Sequence, residues 1–155
     1  MTGVDDDVAV YRRHADELVR YATALVGPHD APDVVIDGVL AAIASANWST
    51  VTNRRAYLYR AVLNRARSAR RSDDRRIRRE AIVALRDEVV PPESSMDAHR
   101  ALAHLSPQQR AVVYLTYWDD LAPSQIATLL DVSDGTVRKQ LARARDQLRR
   151  ILDGA

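Results

Sequence analysis

The chain has no cysteine, no phenylalanine and only 5 glycines among its 155 residues. The absence of cysteine excludes a disulfide framework and a zinc site built on thiolates. No apolar run approaches the roughly 20 residues that span a bilayer, and the N-terminal stretch MTGVDDDV lacks the pattern of a signal peptide. We therefore expect a cytoplasmic protein that does not insert into a membrane.

Few residues are suited to catalysis or metal binding. The histidines are scattered, and no pair of them combines helical ligand spacing with a nearby carboxylate. No nucleophile, base and orienting group stand together in a recognisable catalytic pattern. The sequence therefore predicts no catalytic residue, no metal ligand and no cofactor, and we do not expect an enzyme.

Charge is distributed in four blocks of alternating sign, although the net charge is only +2. Residues 1–53 carry 3 Arg against 8 acids, net −5, and residues 54–80 carry 11 Arg against 3 acids, net +8. Residues 81–137 carry 3 Arg against 8 acids, net −5, and residues 138–155 carry 6 cations against 2 acids, net +4. Composition alone leaves two interpretations equally open, which are solvated surface and two separate contacts with nucleic acid.

Apolar residues in steps of three and four predict two helices in the acidic N-terminal block. The first ends at Gly27-Pro28, a glycine followed by a helix breaker. Its apolar stripe is Val8, Tyr11, Ala15, Leu18, Ala22 and Leu25. The second runs from an Asp30 cap to about Ser45 and is expected to bury Val35, Ile36, Val39, Leu40 and Ile43. Asp33 and Asp37 share one face of it, and Asp37 lies too far from the N-terminus for the helix dipole to explain it.

A third helix, capped by Asn53, carries most of the arginines. One stripe combines an aromatic ring, two amides and three guanidinium groups at heptad spacing: Asn53, Tyr57, Arg60, Asn64, Arg67 and Arg71. Stacking, amide hydrogen bonds and phosphate pairing together are what single-strand binding requires. The core side is expected to hold Leu58, Tyr59, Val62, Leu63 and Ala66. In the preceding loop, Trp48 is either a core anchor or a ring that stacks on an unpaired base.

The C-terminal third predicts a helix-turn-helix preceded by another helix. Ser106-Pro107-Gln108-Gln109 is a capping-box signature that begins a helix from Pro107 to about Trp118. Its apolar residues Val112, Val113, Leu115 and Tyr117 are expected in the core. Two helices follow, from Gln125 to Leu130 and from Asp134 onward, and Ser133 caps the second.

The last helix has an apolar stripe and a basic remainder. Small residues at its start allow a phosphate to approach the free backbone N–H groups, and cations one turn later reach base edges or phosphates in the major groove. The predicted contact residues are Asp134, Gly135, Thr136, Arg138, Lys139 and Arg143. An isolated amphipathic helix would more often be solvated surface, but the preceding turn and helix favour DNA binding.

Breaker-rich residues around Pro91-Pro92 separate the helical regions, and we place a linker at residues 73–96. The predicted fold is all-α, with two small helical domains at residues 5–72 and 97–153 joined by this flexible linker.

Two stretches in each predicted domain carry a resemblance to a known family. DAPDVVIDGVLAAI at residues 30–43 and RAYLYRAVLNRARSARR at residues 55–71 resemble region 2 of the extracytoplasmic-function sigma factors, which are subunits of bacterial RNA polymerase in the sigma-70 family. LSPQQRAVVYL at residues 105–115 and QIATLLDVSDGTVRKQLARAR at residues 125–145 resemble region 4. The resemblance covers nearly the whole chain.

The resemblance implies a subunit that binds core RNA polymerase and directs promoter-specific initiation. Asp33 and Asp37 would dock on the clamp helices of the largest subunit, and region 4 would also sit on the polymerase flap. The third helix and the loop around Trp48 would melt the −10 element and hold its non-template strand, with one base flipped into a pocket. The helix from Asp134 would read the −35 element as duplex. Phosphodiester chemistry would belong to the polymerase, and an anti-sigma factor is an expected partner.

Several residues depart from the family's usual pattern. Ile36 stands where glutamine is common, and Gly38 lies inside a helix at a cost of about 1 kcal/mol relative to alanine. Asp131 replaces the usual glycine of the turn, and aspartate tolerates a left-handed conformation better than most residues. Two other functions stay open: a stand-alone helix-turn-helix regulator that binds operators as a dimer, and a decoy that binds polymerase without productive promoter recognition.

Overall fold

The structure is a computed structural model that describes residues 2–69 and 102–154, with the side chains of residues 2–5 excepted. Within these ranges every regular element is a helix. In chain order the main α-helices are α1 (Thr2–Val26), α2 (Ala31–Ala44), α3 (residues 54–69), α4 (Pro107–Tyr117), α5 (Pro123–Leu130) and α6 (Asp134–Asp153). A 3-10 turn, Trp48–Thr50, lies between α2 and α3. The predicted all-α fold is confirmed. The predicted linker, Arg71 and His99 lie outside the described residues.

Three helices begin where side chains cap them, as the sequence predicts, whereas Asp30 stands at the N-cap of α2 without a capping side-chain hydrogen bond. Asn53 Oδ1 accepts a hydrogen bond from the Ala56 N–H at 3.1 Å, and Ser133 Oγ accepts one from the Thr136 N–H at 3.0 Å. Ser106 and Gln109 form both halves of a capping box. These caps satisfy backbone donors that a helix N-terminus leaves without partners.

Helices α1 to α3, here called the N-terminal bundle, share one apolar core. The rings of Tyr21 on α1 and Tyr59 on α3 lie 4.6 Å apart between centroids, and both residues are buried. All five residues predicted for the core side of α3 are buried. Gly38 of α2 is also buried, because a Cβ there would lie 3.2 Å from both Cα and N of Val62 on α3. The glycine lets two helix backbones approach closely.

Two predictions of burial in the N-terminal bundle were wrong. Ile36 and Leu40 are 48% and 60% exposed, because the buried stripe of α2 runs through its neighbours Val35 and Val39. Helix α2 is apolar on two sides, and only the side with Val35 and Val39 packs against the core. Val8 is also exposed. Helix α1 has 25 residues against 14 in α2, so at about 1.5 Å per residue it is roughly 15 Å longer than the helix it packs on.

Helices α4 to α6, here called the C-terminal domain, form the predicted helix-turn-helix with its supporting helix. Ile126 of α5 and Val137 of α6 are fully buried beside Leu115 of α4. Asp131 ends α5 with φ 55° and ψ 50°, a left-handed conformation that the turn requires. Tyr117 was wrongly predicted to be core. It is the last residue of α4, and its exposed hydroxyl accepts a hydrogen bond from Arg145 Nε at 2.8 Å.

A buried arginine joins the two parts of the chain. Arg110 of α4 is 3% exposed, and its Nη1 donates to the Leu25 carbonyl of the N-terminal bundle at 2.6 Å. Its Nη2 and Nε donate to the carbonyls of Ala103 and Leu102 at 2.5 and 3.0 Å. Leu25 lies in the last turn of α1, where unpaired carbonyls and the helix dipole favour a cation. The C-terminal domain is therefore anchored to the end of α1.

Candidate nucleic-acid interface

The mixed stripe of α3 lies together on one side of the N-terminal bundle. Asn53 and Asn64 are exposed, whereas Tyr57, Arg60 and Arg67 are half-buried. The Tyr57 hydroxyl donates to Ser45 Oγ at 2.8 Å, and the Arg60 guanidinium lies 5.5 Å from the centroid of the Tyr57 ring. An aromatic ring, amides and cations are thus available within one surface, which is the combination that single-stranded nucleic acid uses.

A cleft of about 600 Å³ opens beside this stripe, between α2 and α3. Its walls include Ser45, Tyr57, Arg60 and Asn64. On its rim, Asp37 Oδ2 accepts a hydrogen bond from Arg65 Nε at 3.2 Å. The cleft therefore combines an aromatic ring, hydroxyl and amide groups, and two arginines, each of which is paired with an aspartate of the same lining. Rings, amides and guanidinium groups are the groups that unstacked nucleotides use.

Trp48 belongs to the core and not to the surface. It is 5% exposed, and its Nε1 donates to Asp7 Oδ1 of α1 at 2.8 Å. Its ring meets the Tyr57 ring edge-on at 5.9 Å, and the Arg54 guanidinium lies 4.8 Å from its centroid. This placement favours the anchor alternative over stacking on a base.

The predicted duplex-binding residues lie on the outer side of the C-terminal domain. Five of them are exposed: Asp134, Gly135, Arg138, Lys139 and Arg143. Thr136 is half-buried, and its hydroxyl lies 2.9 Å from the capping hydroxyl of Ser133. The opposite stripe of α6 is buried, so the cations can reach a DNA groove without disturbing the core.

The outward face of α2 carries two aliphatic and two acidic side chains. Asp33 and Asp37 are exposed one helical turn apart, and beside them Ile36 and Leu40 are exposed one helical turn apart. Sequence reasoning singled out the two carboxylates but placed Ile36 and Leu40 in the core. The contiguous exposure of two large aliphatic side chains is typical of a protein-binding surface.

A polar network at the base of α3 was also missed by sequence reasoning. Glu17 of α1 accepts hydrogen bonds from Arg55 Nε and Nη2 at 3.0 Å, from His14 Nδ1 at 2.6 Å and from the Tyr59 hydroxyl at 3.1 Å. Burial raises the pKa of Glu17, but the hydrogen bonds from Arg55 and His14 outweigh it and lower the pKa overall. Burial also raises the pKa of the Tyr59 hydroxyl. Because Glu17 and Arg55 are 38 residues apart, no local sequence pattern predicts that they pair.

The α3 stripe contacts the C-terminal domain where the two parts of the chain meet. Arg60 Nη1 lies 3.1 Å from Asp131 Oδ2 in the helix-turn-helix. A second cleft, of about 390 Å³, lies between the start of α3 and α5 and is lined by Asn53, Arg55 and Gln125 among others. The rings of Tyr21 and Tyr114 lie 6.1 Å apart across the same junction. Part of the α3 stripe therefore faces the C-terminal domain and not solvent.

Over the parts of the chain that the structure describes, no helix is long and apolar enough to cross a membrane. The same residues contain no cluster of three or more histidine or acidic side chains that could hold a metal ion.

Two family models match the chain, and known proteins are similar to it over most of its length. Residues 10–76 match the family model of sigma-70 region 2, and residues 95–148 match that of sigma-70 region 4. The chain is similar to the RNA polymerase sigma-E factor of Streptomyces coelicolor, at 34% identity over 91% of this chain and 82% of the relative. It is also similar to the ECF RNA polymerase sigma factor SigL of Mycobacterium tuberculosis, at 33% identity over 93% and 87%.

Two solved structures share the fold, each with a TM-score of 0.63 over 96% of this chain. One is the sigma factor RpoE in complex with the anti-sigma factor NepR from Bartonella quintana, at 22% identity and 97% coverage of that chain. The other is CnrH in complex with the cytosolic domain of CnrY, at 24% identity and 88% coverage of that chain.

Proposed function

This chain belongs to the extracytoplasmic-function group of the sigma-70 family and directs RNA polymerase to promoters, and we propose that it does so through two separate DNA-binding surfaces. The observation that carries the proposal is the presence in one chain of a mixed aromatic, amide and guanidinium stripe on α3 and an exposed basic helix in a helix-turn-helix. We assign residues 5–72 to region 2, residues 73–96 to the linker and residues 97–153 to region 4.

The α3 stripe is proposed to hold the melted non-template strand of the −10 element. Its members are Asn53, Tyr57, Arg60, Asn64, Arg67 and Arg71. Exposed Asn64 offers an amide to a base edge, and Arg60 and Arg67 neutralise phosphates. Unpaired bases expose their ring faces, and the cleft beside Tyr57 gives one of them a place to enter. Trp48 supports this surface from the core.

The start of α6 is proposed to read the −35 element as duplex. Arg138, Lys139 and Arg143 project from the exposed side of the helix, and Gly135 leaves its N-terminus open to a phosphate. Because the two surfaces use different chemistry, one reads unstacked bases and the other reads the edges of base pairs in the major groove.

The outward face of α2 is proposed as the main polymerase contact. Ile36 and Leu40 supply the apolar part of the contact, and Asp33 and Asp37 beside them select a basic partner surface. We infer that the chain acts in the cytoplasm, where polymerase acts, and that phosphodiester formation is left to the polymerase. An anti-sigma factor is a further proposed partner, because a sigma factor of the same fold has been solved in complex with an anti-sigma factor.

Selection from random DNA tests the two-surface proposal and needs no promoter of known sequence. Holoenzyme reconstituted from core polymerase and the chain is offered a random single-stranded library and a random duplex library. We expect one enriched motif from each library. Asn64→Ala with Arg67→Ala removes the single-strand motif and leaves the duplex motif, whereas Arg138→Ala does the reverse. Arg149→Ala, at an exposed position further along α6, is the matched control. Loss of both motifs in one of these variants contradicts the proposal.

A further inference from the structure

A single hydrogen bond ties the loop between α2 and α3 to the start of α1. Trp48 Nε1 donates to Asp7 Oδ1 at 2.8 Å, across 41 residues of sequence. Asp7 is the last of three consecutive aspartates and lies in the second turn of α1. The indole it binds is buried, so the bond orients a core side chain and is not a surface contact.

The backbone hydrogen bonds within the loop are local. The Trp48 N–H donates to the Ser45 carbonyl at 3.1 Å, and the Thr50 N–H donates to the Asn47 carbonyl at 3.0 Å. Such bonds shape the 3-10 turn at Trp48–Thr50 but do not fix its position relative to α1. The hydrogen bond from Trp48 to Asp7 connects the turn to α1.

The same indole contacts the proposed single-strand surface. Its ring lies edge-on to Tyr57 at 5.9 Å, and the Tyr57 hydroxyl donates to Ser45 Oγ at 2.8 Å. Both Tyr57 and Ser45 line the cleft between α2 and α3. A contiguous path of side chains therefore runs from Asp7 through Trp48 to the wall of that cleft.

A buried indole N–H needs a partner, and a carboxylate is the stronger kind of acceptor. When the acceptor is removed, the N–H either stays unsatisfied or turns the ring toward water. Turning the ring displaces the edge of Trp48 that meets Tyr57, and an unsatisfied N–H leaves the ring without the hydrogen bond that orients it. The geometry of the cleft thus depends on a carboxylate that does not line it.

We propose that Asp7 is a positioning residue for single-strand binding, acting through Trp48 to hold Tyr57 and Ser45 at the cleft. The proposal rests on the proposed −10 function of the α3 surface. Asp7 itself makes no contact with DNA in this scheme. Replacing Asp7 and removing the indole nitrogen of Trp48 should therefore weaken single-strand binding to the same extent, and combining the two changes should weaken it no further.

The test is a double-mutant cycle in reconstituted holoenzyme, with the single-stranded oligonucleotide selected by the unmodified holoenzyme as probe. Asp7→Ala and Trp48→Phe are each expected to weaken its binding roughly tenfold, and the double variant no further. Asp7→Asn keeps an acceptor oxygen and should restore binding. Asp6→Ala, at the exposed neighbouring position, is the control and should bind as the unmodified chain does. Duplex −35 binding should not change in any of them.

Fluorescence separates positioning from general loss of structure. With Trp118→Phe, Trp48 is the only tryptophan, and its emission should shift to longer wavelength in Asp7→Ala but not in Asp6→Ala. The proposal is overturned if Asp7→Ala binds the single strand as Asp6→Ala does, or if the losses of the two single variants multiply in the double variant. Failure of the unmodified holoenzyme to select any single strand would instead overturn the proposed function, and this inference with it.

Discussion

Arg60 on α3 and Asp131 in the turn of the helix-turn-helix form an ion pair of 3.1 Å. Arg60 belongs to the proposed single-strand surface on α3, and Asp131 lies in the turn just before the proposed duplex surface on α6. The −10 and −35 elements lie about 25 base pairs apart, which is roughly 85 Å at about 3.4 Å per base pair. The two surfaces cannot touch and fill both elements at once. On the proposed assignment of the two surfaces, the arrangement in the structure is closed, and we expect it to open when a promoter is bound.

Opening can be measured by energy transfer between dyes on the two domains. The chain has no cysteine, so His29→Cys and Ala142→Cys at exposed positions give two unique labelling sites. We expect efficient transfer in the free chain, with the domains held by Arg110 and Leu25, and weak transfer in the promoter-bound holoenzyme. Equal transfer in both states would show that the closed arrangement does not open.

Base contact and phosphate contact are distinguishable at the start of α6. Arg138→Ala in holoenzyme should cost about 1 to 3 kcal/mol on its preferred −35 sequence and much less on sequences altered at the contacted base pair. The measurement is the affinity for a set of singly altered duplexes. An equal loss on every duplex would mark Arg138 as a phosphate contact and would shift base reading to Lys139 or Arg143.

Gly38→Ala should destabilise the chain, although helix propensity alone predicts a gain of about 1 kcal/mol. The added Cβ would lie 3.2 Å from backbone atoms of Val62, and two packed helices would have to separate to accept it. We expect a loss of about 1 to 2 kcal/mol in urea unfolding. Gly135→Ala is the matched control, because its Cβ would meet only Ser133 Oγ at 3.8 Å. A gain in stability for Gly38→Ala would contradict this account, because α2 and α3 would then separate at little cost in free energy.

The Glu17 network predicts a loss of stability in acid. Because the pKa of Glu17 is lowered from its ordinary value of 4.5, the unfolded chain binds the proton more readily than the folded chain. The carboxylate therefore stabilises the fold above about pH 4.5, and this contribution disappears as pH falls through the lowered pKa. Glu17→Gln should be less stable than the unmodified chain near neutral pH, with the difference shrinking in acid. A difference in unfolding free energy that stays constant with pH would contradict this account.

Local features of the fold could be predicted from the sequence. The caps at Asn53, Ser106 and Ser133 form between residues three apart, and the left-handed turn at Asp131 depends on one residue's own backbone preference. Periodicity also identified the core side of α3, because its apolar residues occupy a single face.

Hydrophobic periodicity wrongly predicted burial for one face of α2. Ile36 and Leu40 continue the hydrophobic pattern of α2 but lie on its exposed side, as a protein-docking surface would. Long-range polar contacts gave no signal either. The bonds from Arg110 to Leu25 and from Trp48 to Asp7 join residues 85 and 41 positions apart, and only the packing of helices brings them together.

Initiation by reconstituted polymerase tests the central claim most directly. Core polymerase without any sigma factor is given sheared genomic DNA of the source bacterium, with and without the purified chain, and the 5′ ends of the transcripts are mapped. We predict starts that appear only with the chain and share two upstream elements. Tight core binding without initiation would contradict the claim and favour a decoy. Protected duplex sites without core binding would contradict it and favour a stand-alone regulator.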